Sequence, residues 1–550
     1  GGTMAGTVTG IDRYTQSGGA ITGTVSTDSY ELADGTGDGF ENVTIGSTLL
    51  QSGGVFDYDG VVVPTFTQSG GLFSGSIRAA TYNQTDAAAT SDRGTVNASS
   101  AFNLEPADGT AVVAATLAGT GNLVKSGDST VVLSGANSFT GTVLVKAGTL
   151  ELQNGAALAD TAAVTIADTA GTALLVTDSE RIGSLSGGGT VTIADGETLT
   201  TGDSANTVYY GSMGGETGNL TKEGSGSFTL AGEVTLGALA VNAGTLAIGD
   251  GTTTNTASFE SAVIESGATV YIASGATLTI RVPQNITNNG RLINDGTVND
   301  DLANASDFEN NGTYNANVAS NTDTINNNEF GIWTGNVLTN DGQIANRDGG
   351  QWIGDVKGNN NAIFNRAGST WTGDVVRNGG GSNDGAQIDN YGAWIGDVKS
   401  NSGGIVVVAG SWTGDIAGNS GWIINNVNDT NVNIDGINAA SWIGTVTNGT
   451  GSVTNDHGGS WTGDVLGNRG YIANRSDATW TGKVTDNAGE IDNLGDWIGD
   501  VTANHGSIYN ISGSWTGDVL SNNGTLINNW NDDTENPGGI NQADWNGDVS

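Results

Sequence analysis

The chain has 550 residues, of which 90 are Gly, 4 Pro and none Cys, with a formal net charge of −41. That charge repels phosphate backbones and anionic membrane surfaces, which excludes nucleic acid as a partner. Its 36 % apolar content, in short alternating runs, suffices to line a thin continuous core rather than a disordered chain.

In chain order, the start GGTMAGTVTG lacks a basic stretch followed by an apolar one, and the end, Trp545 to Ser550, stops inside a repeat. A mature or trimmed piece of something longer is expected. QSGG recurs at 16–19, 51–54 and 68–71, each time before an apolar alternation. Similar alternations between Gly or Asn corners follow at 117–152, 182–193, 214–249 and 265–280. They predict short strands.

From Trp333 the repetition becomes regular. Trp-x-Gly-x-Val/Ile begins at Trp333, Trp352, Trp371, Trp394, Trp412, Trp442, Trp461, Trp480, Trp497, Trp515 and Trp545. Asn follows each Trp up to Trp515 by seven, as at Asn340, Asn359 and Asn468, except after Trp442, where Gly449 stands. A second Asn closes the next apolar segment, as at Asn346 and Asn474. The unit reads as strand, turn, strand, turn. A strand has period two, so Trp, Gly and Val share one face, and their parity predicts that the Trp residues lie inside, with the Gly making room for the rings. Asn-x-Gly supplies the left-handed corners. A unit of about 19 residues cannot bury its own apolar face, whereas stacked units can, at about 4.8 Å per coil. The prediction is an all-β, single elongated parallel β-solenoid of about 25 coils, roughly 120 Å long, with laddered Trp, Asn and Gly positions.

Two units run to 30 residues. Segments 424–442 and 527–545 align without a gap, and an earlier degenerate copy is expected at 303–332. The extra residues must leave a corner and loop over the surface. The candidate partner-binding residues are therefore Asn428, Asp429, Asn431, Asn433 and Asp435, and Trp530, Asn531, Asp532, Asp533 and Glu535. Four segments are expected: 1–110 with QSGG repeats, 111–250, a transitional 251–332, and the regular 333–550.

Segments 117–152 and 214–249 resemble the passenger-associated transport repeat of bacterial autotransporters. The pattern is met by Gly121, Leu123, Lys125, Gly127, Leu133, Gly135, Val145, Gly148 and Leu150. It recurs at Gly218, Leu220, Lys222, Gly224, Leu230, Gly232, Val241, Gly244 and Leu246. The second copy departs where EVTLGALAV replaces the stretch Asn137 to Gly141. The resemblance implies a right-handed β-helix, secretion by the type V route and display at a Gram-negative cell surface. It also implies attachment through an outer-membrane barrel that the chain does not contain.

That family includes enzymes. A Ser-His-Asp triad needs a histidine base, and only His457 and His505 exist, at corner positions that other units fill with Asp348, Arg469 or Ala488. Gly127-Asp128-Ser129-Thr130 departs from the family's Gly-Asp-Ser-Gly. Asp355, Asp374, Asp397, Asp415, Asp464, Asp500, Asp518 and Asp548 form one exposed column, interrupted by Asn336, Thr445 and Lys483. Acid–base catalysis needs a singular pair in contrasting environments, and a translated Asp is the opposite. Oxygen-rich stretches at Asp34–Asp38, at Asn428–Asp435 and at Asp532, Asp533 and Glu535 lack calcium-loop spacings. The sequence thus points to a non-enzymatic surface adhesin or stiff stalk with no catalytic residue, metal or cofactor. Its expected partners are glycans or proteins of host or neighbouring cells, or the chain itself. A self-assembling surface fibre and a polysaccharide-active β-helix enzyme are the alternatives.

Overall fold

The computed structural model describes residues 3–36, 43–91, 93–281, 285–379, 385–427, 440–529 and 543–550. They contain strands, bridges and turns and no helix. The chain divides into two compact units, Gly1–Gln284 and Asn285–Ser550.

Each unit is a parallel β-solenoid: a strand pairs in parallel with its equivalent one coil later, in register. In the first unit, for example, Thr130–Leu133 pairs with Thr149–Leu152 and that with Ala173–Val176. In the second, Gln343–Asn346 pairs with Ala362–Asn365 and that with Gln387–Asn390. The alternation read from the sequence becomes alternate burial, as in Thr245–Ile248, where Leu246 and Ile248 are buried.

Three-sided coils build the second unit. Ile332–Thr334 is the first side, single bridges at Val337 and Asn340 the second, and Gln343–Asn346 the third. Trp, Val and Ile from the three sides meet in the interior, and two Asn residues turn the corners. The Trp rings from Trp333 to Trp545 stack face to face, with centroids 4.4–5.0 Å apart and planes within 8° of parallel. Trp333 to Trp515 are fully buried. Tyr314 extends the file, stacking on Trp333 at 4.1 Å.

One Asn ladder runs Asn288, Asn304, Asn321, Asn340 and onward to Asn522, each Nδ2 donating to the Oδ1 of the next rung at 2.6–2.9 Å. The other starts at Asn294 and has one missing rung, because Val407 stands between Asn390 and Asn425. The Oδ1 of Asn425 consequently has no donor. Two sequence expectations change. In the Trp442 coil the rung is Asn448 rather than the position of Gly449, because the pairing slips by one residue between Ile416 and Asn419. Segment 303–332 is not an early 30-residue unit. It contains ordinary coils of 16 to 17 residues carrying both Asn ladders.

The first unit solves the same corner with other polar residues. Gln51, Gln68 and Gln84 are buried, and each donates to a backbone carbonyl (Leu72, Thr90 and Ala89) at 2.8–2.9 Å. Farther along that column stands Lys125, reached through Leu104. Its buried ammonium donates to the carbonyls of Ser126, Gly127 and Ala147 at 2.7–2.9 Å, and burial pushes its pKa down to about 8. Lys222 does the same with Glu223, Gly224 and Ala243. The transport-repeat lysine is thus a corner plug, chosen because one ammonium holds three carbonyls that a buried turn leaves open.

Candidate adhesive surfaces

Stacking sorts the second unit into inward columns, which hold it together, and outward columns, which are free to meet a partner. Beside each Trp, the next residue forms one outward column: Thr334, Ile353, Thr372, Ile395, Thr413, Ile443, Thr462, Thr481, Ile498 and Thr516. All ten are exposed and none is charged, and the isoleucines remain about half open to water. β-Branched side chains suit a pleated surface, which explains the residue type. The strip is thus a ten-rung uncharged band on a chain of charge −41.

The Asp column has a structural duty. The backbone N–H of Asp374 donates to Asp355 Oδ1 at 2.8 Å, that of Asp397 to Asp374 at 2.8 Å, and that of Asp415 to Asp397 at 2.8 Å. Carboxylates one coil apart repel by about 1 kcal/mol in water-like surroundings. A hydrogen bond to a charged acceptor contributes roughly 1.5–3 kcal/mol, so the ladder wins. Lys399 adds to it by spanning Asp397 at 2.6 Å and Asp374 at 3.3 Å. Its ammonium, with the Asp415 N–H, holds the Asp397 carboxyl below the usual range, and at Asp500 the Asp518 N–H and Lys483 do the same. A lowered folded pKa means that this stabilisation is present above the unfolded value of about 3.9 and is lost as pH falls through the folded one.

Asn336 fills a rung natively, accepting the Asp355 N–H at 2.7 Å. Asp355→Asn is therefore expected to leave stability within about 0.5 kcal/mol, while Asp355→Ala loses about 1 kcal/mol. Urea unfolding of both variants checks this, and equal losses would show that the charge, not the acceptor, matters.

His457 Nδ1 lies 2.8 Å from its neighbour Asp456, on the surface, and His505 is an exposed corner. No cluster of three or more metal-ligating side chains occurs among the described residues.

All ten candidate partner-binding residues (Asn428, Asp429, Asn431, Asn433, Asp435, Trp530, Asn531, Asp532, Asp533 and Glu535) lie outside the described residues, as does Asp38. Their stems are described. On the N-terminal side the described chain passes the ladder residues Asn425 and Asn528, equivalent positions of one corner, and runs to 427 and 529. Both coils resume in register at Ser441–Ile443 and Asp544–Asn546.

Two outward features were not singled out from the sequence. Trp422, outside the Trp motif, lies over Gly404, where a Cβ would come within 2.2 Å of its Cζ2. With Ser452 and Tyr471 it forms an aromatic-edged shallow groove of about 610 Å³. Arg347, Arg366 and Tyr391 line a second groove. Both depend on neighbours one coil apart in space and 18 to 30 residues apart in sequence.

Residues 123–152 and 220–248 match the Passenger-associated-transport-repeat family. The chain is also 30 % identical over 281 residues to the Adhesin BmaC autotransporter of Brucella suis biovar 1 (strain 1330). That alignment covers 47 % of this chain and 8 % of the relative, so the chain spans a small part of that protein's length. No solved structure matches the chain.

Proposed function

We propose that this chain, an autotransporter passenger segment built on passenger-associated transport repeats, works as a non-enzymatic adhesin at the surface of a Gram-negative bacterium. The observation that carries the reading is the sequence likeness to an autotransporter adhesin, on a fold whose inward columns are all spent on cohesion. What remains for function is the outward surface. A solenoid suits this work because each coil rests only on its neighbours, so length and loops can be added without redesigning a core. The passenger is held at the cell by an outer-membrane barrel.

The two excursions from the Asn425 and Asn528 corner carry the partner-facing surface in this reading. They leave one corner column five coils apart, about 24 Å. Trp530 in the second is a suitable anchor for a glycan or protein. The test is to display the chain on a non-adherent bacterium and replace 428–439 and 530–542 by short Gly-Asn corners. Attachment and cell–cell aggregation should fall by about tenfold or more at unchanged surface display. Attachment that survives both replacements moves the adhesive surface to the Thr/Ile strip or the grooves. A displayed chain that promotes no attachment at all overturns the adhesin reading.

A further inference from the structure

We propose that the corner groove at Arg347, Arg366 and Tyr391 binds a single carboxylated sugar, such as the acidic residue that ends a surface glycan. The proposal rests on the adhesin reading for its biological role and on the groove alone for its chemistry.

These three residues each follow a ladder Asn (Asn346, Asn365 and Asn390), so they occupy one position in three successive coils. The Arg366 guanidinium lies 4.5 Å from the Phe364 ring centroid and 5.0 Å from that of Tyr391. Stacking occupies the faces of a guanidinium and leaves its in-plane N–H edge, the fork that matches a carboxylate. Next to it, Arg347 has a buried Nε with no hydrogen-bond partner. Neither arginine forms an ion pair with any described residue, although Asp348 shares the groove and the chain carries 58 acidic against 17 basic residues. Two adjacent guanidiniums with no ion-paired carboxylate, although Asp348 lies nearby, are what such a composition should not leave by accident.

The size and field of the site narrow the ligand. The groove encloses about 380 Å³, at the low end of small-ligand pockets, which run roughly 300–1,000 Å³. A long polyanion would meet the −41 charge along its whole length. One carboxylate held at contact is shielded from distant charges, since screening acts over about 8 Å at physiological salt. Tyr391, which lines the groove, brings an aromatic ring for the apolar part of a pyranose, which a bare carboxylate does not use. The same corner column carries the two excursions, so a glycan held here lies along the edge already assigned to attachment.

The test uses the whole purified chain and saturation-transfer NMR with a trisaccharide ending in N-acetylneuraminic acid, against lactose and acetate. Saturable binding of the trisaccharide is expected, with neither control competing at equal concentration. Arg366→Ala and Tyr391→Ala should each weaken it by about tenfold or more, and Arg366→Lys should weaken it too because the fork is lost. Arg469→Ala, which removes an exposed partner of Asp486, should leave it unchanged. Unaltered Trp emission in each variant shows that the coils are intact. The proposal is overturned by no saturable binding, by lactose, acetate or an acidic peptide binding equally well, or by binding that survives Arg366→Ala. A displayed chain that attaches cells but does not bind the trisaccharide defeats this inference alone. Binding without attachment defeats the adhesin reading and leaves the site standing.

Discussion

Replacing Trp412 with alanine will destabilise the surrounding coils by roughly 3–5 kcal/mol, the range for emptying a buried large aromatic site. Trp412 is stacked between Trp394, 4.8 Å away, and Trp442, 5.0 Å away, so the variant loses two ring contacts and leaves a gap in the middle of a file. Its Nε1 also donates to the Gly414 carbonyl at 3.2 Å, and that acceptor loses its indole donor. Nothing on either side can collapse into the space, because the flanking rings are held at coil spacing by their own strands. The damage should stay local, since stability in a solenoid is a sum over neighbouring coils. Hydrogen exchange is expected to quicken in the strands Ala393–Ile395, Ser411–Thr413 and Ser441–Ile443 and to stay slow near Trp333. Trp422→Ala serves as the control, because that ring is 38 % exposed and outside the file, and it should cost about 1 kcal/mol or less. A Trp412→Ala chain that unfolds as readily at distant coils as at its own, or that loses under 1 kcal/mol, would show that the stack does not hold the second unit together.

The stack and the corner ladders were legible in the sequence because both follow from translation. A residue that recurs at coil length with the parity of Val must face inward, and an Asn that recurs at a corner must meet its own copy 4.8 Å away. Where coil length varied, spacing misled. Counting seven from Trp442 falls on Gly449, whereas the bulge before Asn448 brings that Asn onto the ladder. Coils before Trp333 carry Asn288, Asn304 and Asn321 without a Trp, so the repeat was invisible through its largest letter. The corner groove was hidden for another reason: Arg347, Arg366 and Tyr391 occupy the variable step after the Asn, where the repeat has no consensus. Their meaning arises only when stacking places residues 19 and 25 apart in the chain side by side. The lysine of the transport repeat was recognisable as a motif, but its burial over three carbonyls was not.

Gly414→Ala will be among the most damaging single-methyl changes the chain can receive, costing at least about 3 kcal/mol through overpacking and backbone strain together. The sequence reading held that the invariant Gly makes room for Trp. Geometry gives a different cause. A Cβ on Gly414 would stand 2.0 Å from the carbonyl oxygen and 2.6 Å from the carbonyl carbon of Gly396, one coil below. The same clash, 1.7–2.2 Å to the backbone oxygen beneath, recurs at Gly335, Gly354, Gly373, Gly396, Gly444, Gly463, Gly482, Gly499 and Gly517. These are backbone atoms, so relief requires parting two coils that are joined by parallel pairing and by the Asp ladder. The oxygen beneath is also engaged, accepting the Trp394 Nε1–H at 3.2 Å, and moving it would disturb the ring file. Gly418→Ala isolates the conformational part of the effect. Gly418 has a φ of +65° but no atom within 4 Å of its would-be Cβ, so alanine there pays only for the left-handed backbone, about 1–2 kcal/mol. Chemical denaturation of the two variants side by side should separate them by at least about 1 kcal/mol. Equal losses would mean that backbone conformation alone fixes the glycine column, and that coils can part to admit a methyl group.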